Sequence, residues 1–292
     1  MGKNIVVFSD GTGQKGGVGS NTNVYKLFNM VEDRTDKQIA FYDPGLGTDW
    51  RKITGLIAGQ GFSKNILDCY SFIFENYEAD DEIYLFGFSR GAATVRSLSG
   101  FIHLFGILPK SRADLINEAF AIYMIKNKKR RIEKSKVFIE KHSNMWCKIK
   151  FLGVWDTVSA LGLPLKGISG VHTDVGGGYN EEDLSNISLK WKLREATSKN
   201  LRIYEKSPAY IKLLDTNPDV NGMMHNEQKK FPGTLLKRMK RSWNKTTHGE
   251  PCIHESVFER TKNTDNEDKP LYSPWIFEVM DKKNPCREPW IK

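Results

Sequence analysis

No run of about 18 consecutive apolar residues occurs in this chain, so no transmembrane helix is expected from it. The N-terminus, Met1-Gly2-Lys3-Asn4-Ile5-Val6-Val7-Phe8-Ser9-Asp10, reaches Asp10 too early to hold the apolar core of a signal peptide. Position 6 is Val, not the Ser or Thr of a myristoylation signal. Cysteine is scarce: Cys69, Cys147, Cys252 and Cys286 are scattered and match neither a zinc pattern nor a disulfide framework. Free thiols in a reducing cytosol are therefore expected, with a cytoplasmic location in the producing cell that leaves delivery by a secretion system open. Internal repeats and low-complexity tracts are missing as well. What remains is globular composition, with 39% hydrophobic, 27% charged and 11% aromatic residues among 292, which excludes disordered and collagen-like classes.

Acidic charge is in deficit. Lys and Arg number 44 against 35 Asp and Glu, net +9, an excess that suits phosphate-bearing partners such as an anionic membrane surface. Two runs carry much of it, Lys126 to Arg131 and Lys237 to Arg241, with Phe231 and Trp243 near the second. The plainer reading of both runs is a solvated helix face.

The first half alternates apolar strand-like runs with helical periodicity. Strands are expected at Asn4–Ser9, Gln38–Tyr42, Glu82–Phe88, Lys148–Val154 and Lys166–His172. Helices are expected from Asn23 through Val31 with Asn21 or Thr22 as N-cap, over Ile57–Tyr77 and over Gly91–Phe105. Ser111–His142 reads as a basic helical insertion, Leu189–Glu205 as a helix and His225–Glu250 as a basic loop. Strands alternating with helices predict an α/β fold with a mostly parallel central sheet flanked by helices. No linker divides the chain, so residues 1–292 read as a single domain with an insertion at about 111–145 and an irregular segment at about 205–250.

Gly87-Phe88-Ser89-Arg90-Gly91 matches Gly-x-Ser-x-Gly. The match alone says little, since about 0.1 occurrences are expected by chance at average glycine usage. Its context says more: a buried-strand sequence precedes it and a helix start follows, as a nucleophile elbow requires. The Arg90 N–H, at the helix N-terminus, would then donate to an oxyanion. A serine nucleophile needs a base and an orienting acid. Of the six histidines, His172 precedes a glycine run in Gly170-Val171-His172-Thr173-Asp174-Val175-Gly176-Gly177-Gly178, and His254 is the second candidate. Asp156 ends a strand, and the order Ser89, Asp156, His172 is that of α/β-hydrolases. Asp174 with His254 preserves the same order and stands as the backup pair.

Gly11-Thr12-Gly13-Gln14-Lys15-Gly16 has dinucleotide-loop spacing, but no acidic strand end follows at the required distance and the next helix starts too far on. The loop reads better as the wall opposite Ser89, with Asp10 beside it and the N–H of Gly11 or Thr12 as second oxyanion donor.

Together these stretches resemble the catalytic domain of the type VI secretion phospholipase effectors. The resemblance is carried by Phe8-Ser9-Asp10-Gly11-Thr12, Thr22-Asn23-Val24, Tyr42-Asp43-Pro44-Gly45-Leu46-Gly47-Thr48, Gly87–Ala92, Gly153-Val154-Trp155-Asp156-Thr157-Val158 and Gly170–Tyr179, in family order. Ile253–Arg260 resembles the family's closing motif. The resemblance implies an α/β-hydrolase fold and hydrolysis of acyl esters, commonly of phospholipids, with Ser89 as nucleophile, Asp156 as acid and His172 as base. It implies a lipid substrate and an activating, secretion or immunity protein as partner. The stretch between Asp156 and His172 is shorter than is usual in the family, so a reduced lid or substrate wall is expected, as is the lack of a membrane-anchoring region. No metal and no cofactor are expected, and nucleic acid is not favoured as a partner. The rivals are a hydrolase of a soluble non-lipid ester and a non-catalytic phosphate-binding module built on the Gly11–Gly16 loop.

Overall fold

The computed structural model describes residues 2–11, 16–17, 19–45, 55–157, 172–225, 244–262, 275–281 and 283–289. Strand β1 (Asn4–Ser9) leads to helix α1 (Asn23–Phe28), β2 (Gln38–Asp43), α2 (Gly55–Asn76), β3 (Glu82–Phe88) and α3 (Arg90–Phe105). Two helices, α4 (Leu115–Tyr123) and α5 (Lys128–Lys141), precede β4 (Ile149–Trp155). Then come α6 (His172–Gly176), α7 (Asp183–Thr197), α8 (Pro208–Leu214), α9 (Lys245–His248), β5 (Ile253–His254), α10 (Glu255–Lys262) and β6 (Arg287–Glu288).

The described main sheet has the order β2-β1-β3-β4 and is parallel throughout. Every residue of β1 is buried, because the strand lies between two layers of helices. Alternation along the strand sorts its side chains. Ile5 and Val7 join Ile83 and Leu85 against Ile66, Tyr70 and Ile73 of α2 and Val95, Leu98 and Phe101 of α3. Val6 and Phe8 join Tyr84 and Phe86 on the other face, against Val24 and Leu27 of α1 and Leu189 and Leu193 of α7. Two such faces explain the unbroken apolar runs of β1 and β3, which a one-sided sheet would interrupt with polar residues. Burying one Leu, Ile or Phe side chain is worth about 1.5–3 kcal/mol, and these paired faces supply most of the drive to fold.

Four expectations are corrected. First, Cys252 and Cys286 form a disulfide. The pairing of β5 with β6 sets Ile253 opposite Arg287, which brings the two preceding cysteines to a Cα separation of 4.6 Å; sequence spacing does not reveal such a meeting. Cys69 and Cys147 are free thiols, but the pair removes the argument for a reducing compartment. Second, His172 begins a helix and does not end a strand; Lys166–Val171 lie outside the described residues. Third, α7 starts at Asp183 and stops at Thr197. Its early polar turn is held because Asn23 donates to the carbonyl of Ser185 and to the hydroxyl of Ser188. Its end is set where Asn200 adopts φ +74° and gives its carbonyl to buried Asn4. Fourth, α1 is short: Thr22 caps it by accepting from the Tyr25 N–H, and Val31 leaves it to bridge Ile203. The run Lys237–Arg241, with Phe231 and Trp243, lies outside the described residues.

The Ser111–His142 region packs as two helices. Phe120 and Tyr123 of α4 lie against Phe101, and Phe138 of α5 meets Phe105 edge-on. The link from α3 to this region is fixed by fully buried Tyr70, whose hydroxyl donates to the Gly106 carbonyl and accepts from the Leu108 N–H. Tyr70→Phe strands both backbone groups. It should cost about 1–3 kcal/mol, read as a lowered urea midpoint at unchanged m-value, and no shift in the midpoint would refute this role.

Candidate functional site

Three strands, β1, β3 and β4, are each followed by a polar residue at the carboxyl edge of the sheet. After β3 comes Ser89, with φ +58° and ψ −120°. Few residues other than glycine adopt this backbone, and holding it costs on the order of 1–3 kcal/mol. The turn is sharp because the backbones crowd. A Cβ on Gly91 would lie 2.0 Å from the Ser9 carbonyl oxygen, and one on Gly87 would lie 2.6 Å from the Gly91 oxygen. The Ser89 N–H donates to the Trp155 carbonyl at 3.1 Å, tying the turn to β4. Arg90 opens α3, so its N–H has no partner one turn earlier in the helix. Its guanidinium is held below the usual arginine range by burial.

After β1 comes Asp10, 1% exposed. Its carboxylate accepts from the Gly11 N–H (2.6 Å), the Thr22 hydroxyl (2.6 Å) and the Tyr42 hydroxyl (2.7 Å). Burial nevertheless pushes its acidity to higher pH, with these hydrogen bonds opposing. Gly11 faces Ser89: a Cβ there would come 3.4 Å from the Ser89 Cβ. The Gly11 N–H is already bound to Asp10, which argues against it as the second oxyanion donor. Thr12 and the rest of the loop to Lys15 lie outside the described residues.

After β4 comes Asp156, itself at φ +32°. Its Oδ2 lies 2.7 Å from Nδ1 of His172. His172 arrives on α6, which docks on Phe88, the residue before Ser89. The His172 and Phe88 rings stack at 4.6 Å, and a Cβ on Gly176 would lie 2.0 Å from the Phe88 ring. This contact gives Gly176 a physical reason, and Gly177 has its own in φ +79°. Two further bonds hold α6, from Asn23 and from the Ser188 hydroxyl to the Val175 carbonyl.

The backup pair does not meet. Asp174 binds His225: its carboxylate accepts the His225 N–H at 2.9 Å, and its Oδ1 lies 2.7 Å from His225 Nδ1. The His225 ring stacks on Tyr179 at 3.8 Å. His254 instead has Nδ1 2.8 Å from the Ser256 hydroxyl and faces Trp191. His225 lies in a stretch whose sequence reads as a loop, and nothing in its neighbourhood marks a partner about fifty positions upstream. Nothing in the sequence around Lys192 marks it either. Its ammonium lies 4.4 Å from the Trp191 ring centroid and 5.9 Å from that of Trp155, and burial lowers its pKa to about 8.

With this geometry in hand, comparison with known proteins gives three matches. The family described as "T6SS, Phospholipase effector Tle1-like, catalytic domain" matches residues 3–169. The uncharacterized protein YEL023C of Saccharomyces cerevisiae is 29% identical over 187 residues, which is 56% of this chain and 27% of the yeast protein. The chain thus spans about a quarter of that relative's length. A crystal structure of an uncharacterized protein from Pseudomonas aeruginosa aligns over 69% of this chain and 46% of its own, at 15% identity and TM-score 0.40.

The raised acidity constant of Asp10 has a consequence for stability. A carboxyl that binds its proton more tightly when folded contributes stability fully present below the unfolded carboxylate value of 3.8, and loses it as pH rises through the folded value. Asp10→Asn removes that dependence. The unfolding free energy of the wild type relative to the variant should therefore fall as pH rises above about 4, with a slope of at most about 1.4 kcal/mol per pH unit. Denaturant titrations across that range check it, and a pH-independent difference would contradict it.

Proposed function

The chain belongs to the T6SS phospholipase effector Tle1-like catalytic-domain family, and from that membership and the Ser89 turn we propose that it is a serine hydrolase of α/β-hydrolase fold cleaving acyl esters of phospholipids. The observation that carries the proposal is the strained backbone of Ser89 between β3 and α3, on the same sheet edge as the Asp156–His172 pair.

In this reading the Ser89 hydroxyl attacks the ester carbonyl while His172 Nε2 removes its proton. Asp156, against Nδ1, holds that nitrogen as N–H, which leaves Nε2 free to accept, and it stabilises the imidazolium that forms. The C=O π bond opens to an oxyanion, which the Arg90 N–H at the start of α3 stabilises. Collapse breaks the ester C–O bond, and His172 returns the proton to the leaving alcohol. Water, deprotonated by His172, then attacks the acyl-enzyme and releases the fatty acid with Ser89 restored. The φ of +58° serves this chemistry by turning the hydroxyl out of the sheet and away from its strand neighbours. Phe88, stacked on His172, fixes the ring plane.

Asp174–His225 then has a supporting role, since it anchors the helix that carries His172. His254, engaged with Ser256, has no step to perform.

Ser89→Ala and His172→Ala should each lower kcat on a short-chain soluble ester by about 10⁶-fold. Asp156→Asn should lower it by about 10⁴-fold. His254→Ala should stay within a few fold of wild type. A fluorophosphonate probe should label the wild type and not Ser89→Ala. If His254→Ala is inactive while His172→Ala remains active, the base assignment is wrong; if no variant differs from wild type, the serine mechanism is.

A further inference from the structure

The first turn of α5 is built against its own stability. Lys128, Lys129 and Arg130 occupy it, directly after the N-cap Asn127, and no acidic residue is present there. The amino end of a helix carries partial positive charge and favours carboxylates, not cations. All three side chains are exposed, and among the described residues none of them forms an ion pair. Folding gives no reason for this placement. The same corner also exposes apolar surface, with Met124 44% and Ile132 36% exposed. Lys126 adds a further exposed cation.

The helix pairings say where this corner lies. Helix α3 runs from Arg90, next to Ser89, down to Phe105. The Tyr123 hydroxyl, at the end of α4, donates to the Ser97 carbonyl in the first half of α3. Phe138 of α5 packs on Phe105 at the far end. Arg131 lies about 10 Å of helix rise before Phe138 and reaches back to the carbonyls of Tyr123 and Ile125. The amino end of α5 therefore lies toward the end of the molecule that holds Ser89, and its carboxyl end points away.

The geometry points to the α4–α5 corner, Met124 to Ile132, as a docking surface for an anionic phospholipid bilayer. Unpaired cations bind the headgroup phosphates, and Met124 and Ile132 enter the headgroup boundary. A bilayer is favoured over nucleic acid because the exposed apolar side chains flanking the cations, Met124 and Ile132, are unbranched or aliphatic; they can insert among lipids but offer no ring on which a base can stack. This inference rests on the phospholipid reading above for its purpose, since docking at this end would bring the membrane to Ser89.

Sedimentation of the full chain with vesicles tests it, using phosphatidylcholine alone and phosphatidylcholine mixed with phosphatidylglycerol. Binding should be stronger to the mixed vesicles and should weaken as salt is raised. The triple variant Lys128→Glu, Lys129→Glu, Arg130→Glu should lose about tenfold or more of it. Because glutamate suits a helix amino end, this variant should melt no lower than wild type and should hydrolyse a soluble short-chain ester unchanged. The pair Met124→Ser, Ile132→Ser should weaken vesicle binding while leaving its salt dependence intact. Binding equal on neutral and anionic vesicles, a triple variant that sediments like wild type, or retention of structured RNA on filters with no vesicle binding would each overturn the proposal. Charge-dependent vesicle binding by a protein that cleaves no ester would sustain the docking surface and sink the hydrolase reading instead.

Discussion

The contact on which the rest of the structure depends is the near-touching of three backbones at the carboxyl edge of the sheet. Gly91 leaves no room for a Cβ against Ser9, and Gly87 leaves none against Gly91. That approach lets α3 start immediately after β3 with a single residue between them. That residue, Ser89, must then take a conformation that ordinary side chains avoid. Strain of this kind survives only when the surroundings over-determine it. Here they do, through the register of β1 with β3, which sets Ser9 opposite Gly87, and through the bond from Ser89 to Trp155.

The order β2-β1-β3-β4 adds a second constraint. The chain crosses from β1 outward to β2 and then returns to the other side of β1 with β3, so the connections leave β1 and β3 in opposite directions. Such a switch point opens a crevice outside the carboxyl ends of the strands. Asp10, Ser89 and Asp156 are each the first residue past a strand, and all three arrive there by register alone. Asp10 is sealed by Thr22 and Tyr42 and holds Gly11, which faces Ser89. Asp156 stays partly accessible and meets His172. Two carboxylates in equivalent positions thus meet different surroundings, one sealed and one paired with an imidazole.

Much of this was readable along the chain. β1 and β3 are expected at the boundaries observed, and β2, β4, α2 and α3 lie within a few residues of expectation. All are apolar runs or strongly periodic stretches. The turn at Ser89 was readable too, because Gly-x-Ser-x-Gly between a strand and a helix is a local pattern. Asp156 is named from the end of a strand and His172 from the glycine run that follows it, with the order Ser89, Asp156, His172 joining them, although His172 begins a helix and does not end a strand.

What the sequence by itself determined is whatever depends on neighbours within a few residues: strand burial, helix caps, the glycine spacing that permits a tight turn, and an unfavourable cluster of cations on the first turn of α5. Only the tertiary structure decided the partnerships between distant positions. Asp174 pairs with His225 and not His254, Cys252 meets Cys286, and α6 rests on Phe88 through a glycine. The physical reason is that a side chain's local pattern fixes its direction relative to its own backbone, while its partner is fixed by how helices and strands pack. That packing is set by the summed burial on both faces of the sheet, which no single stretch of sequence contains.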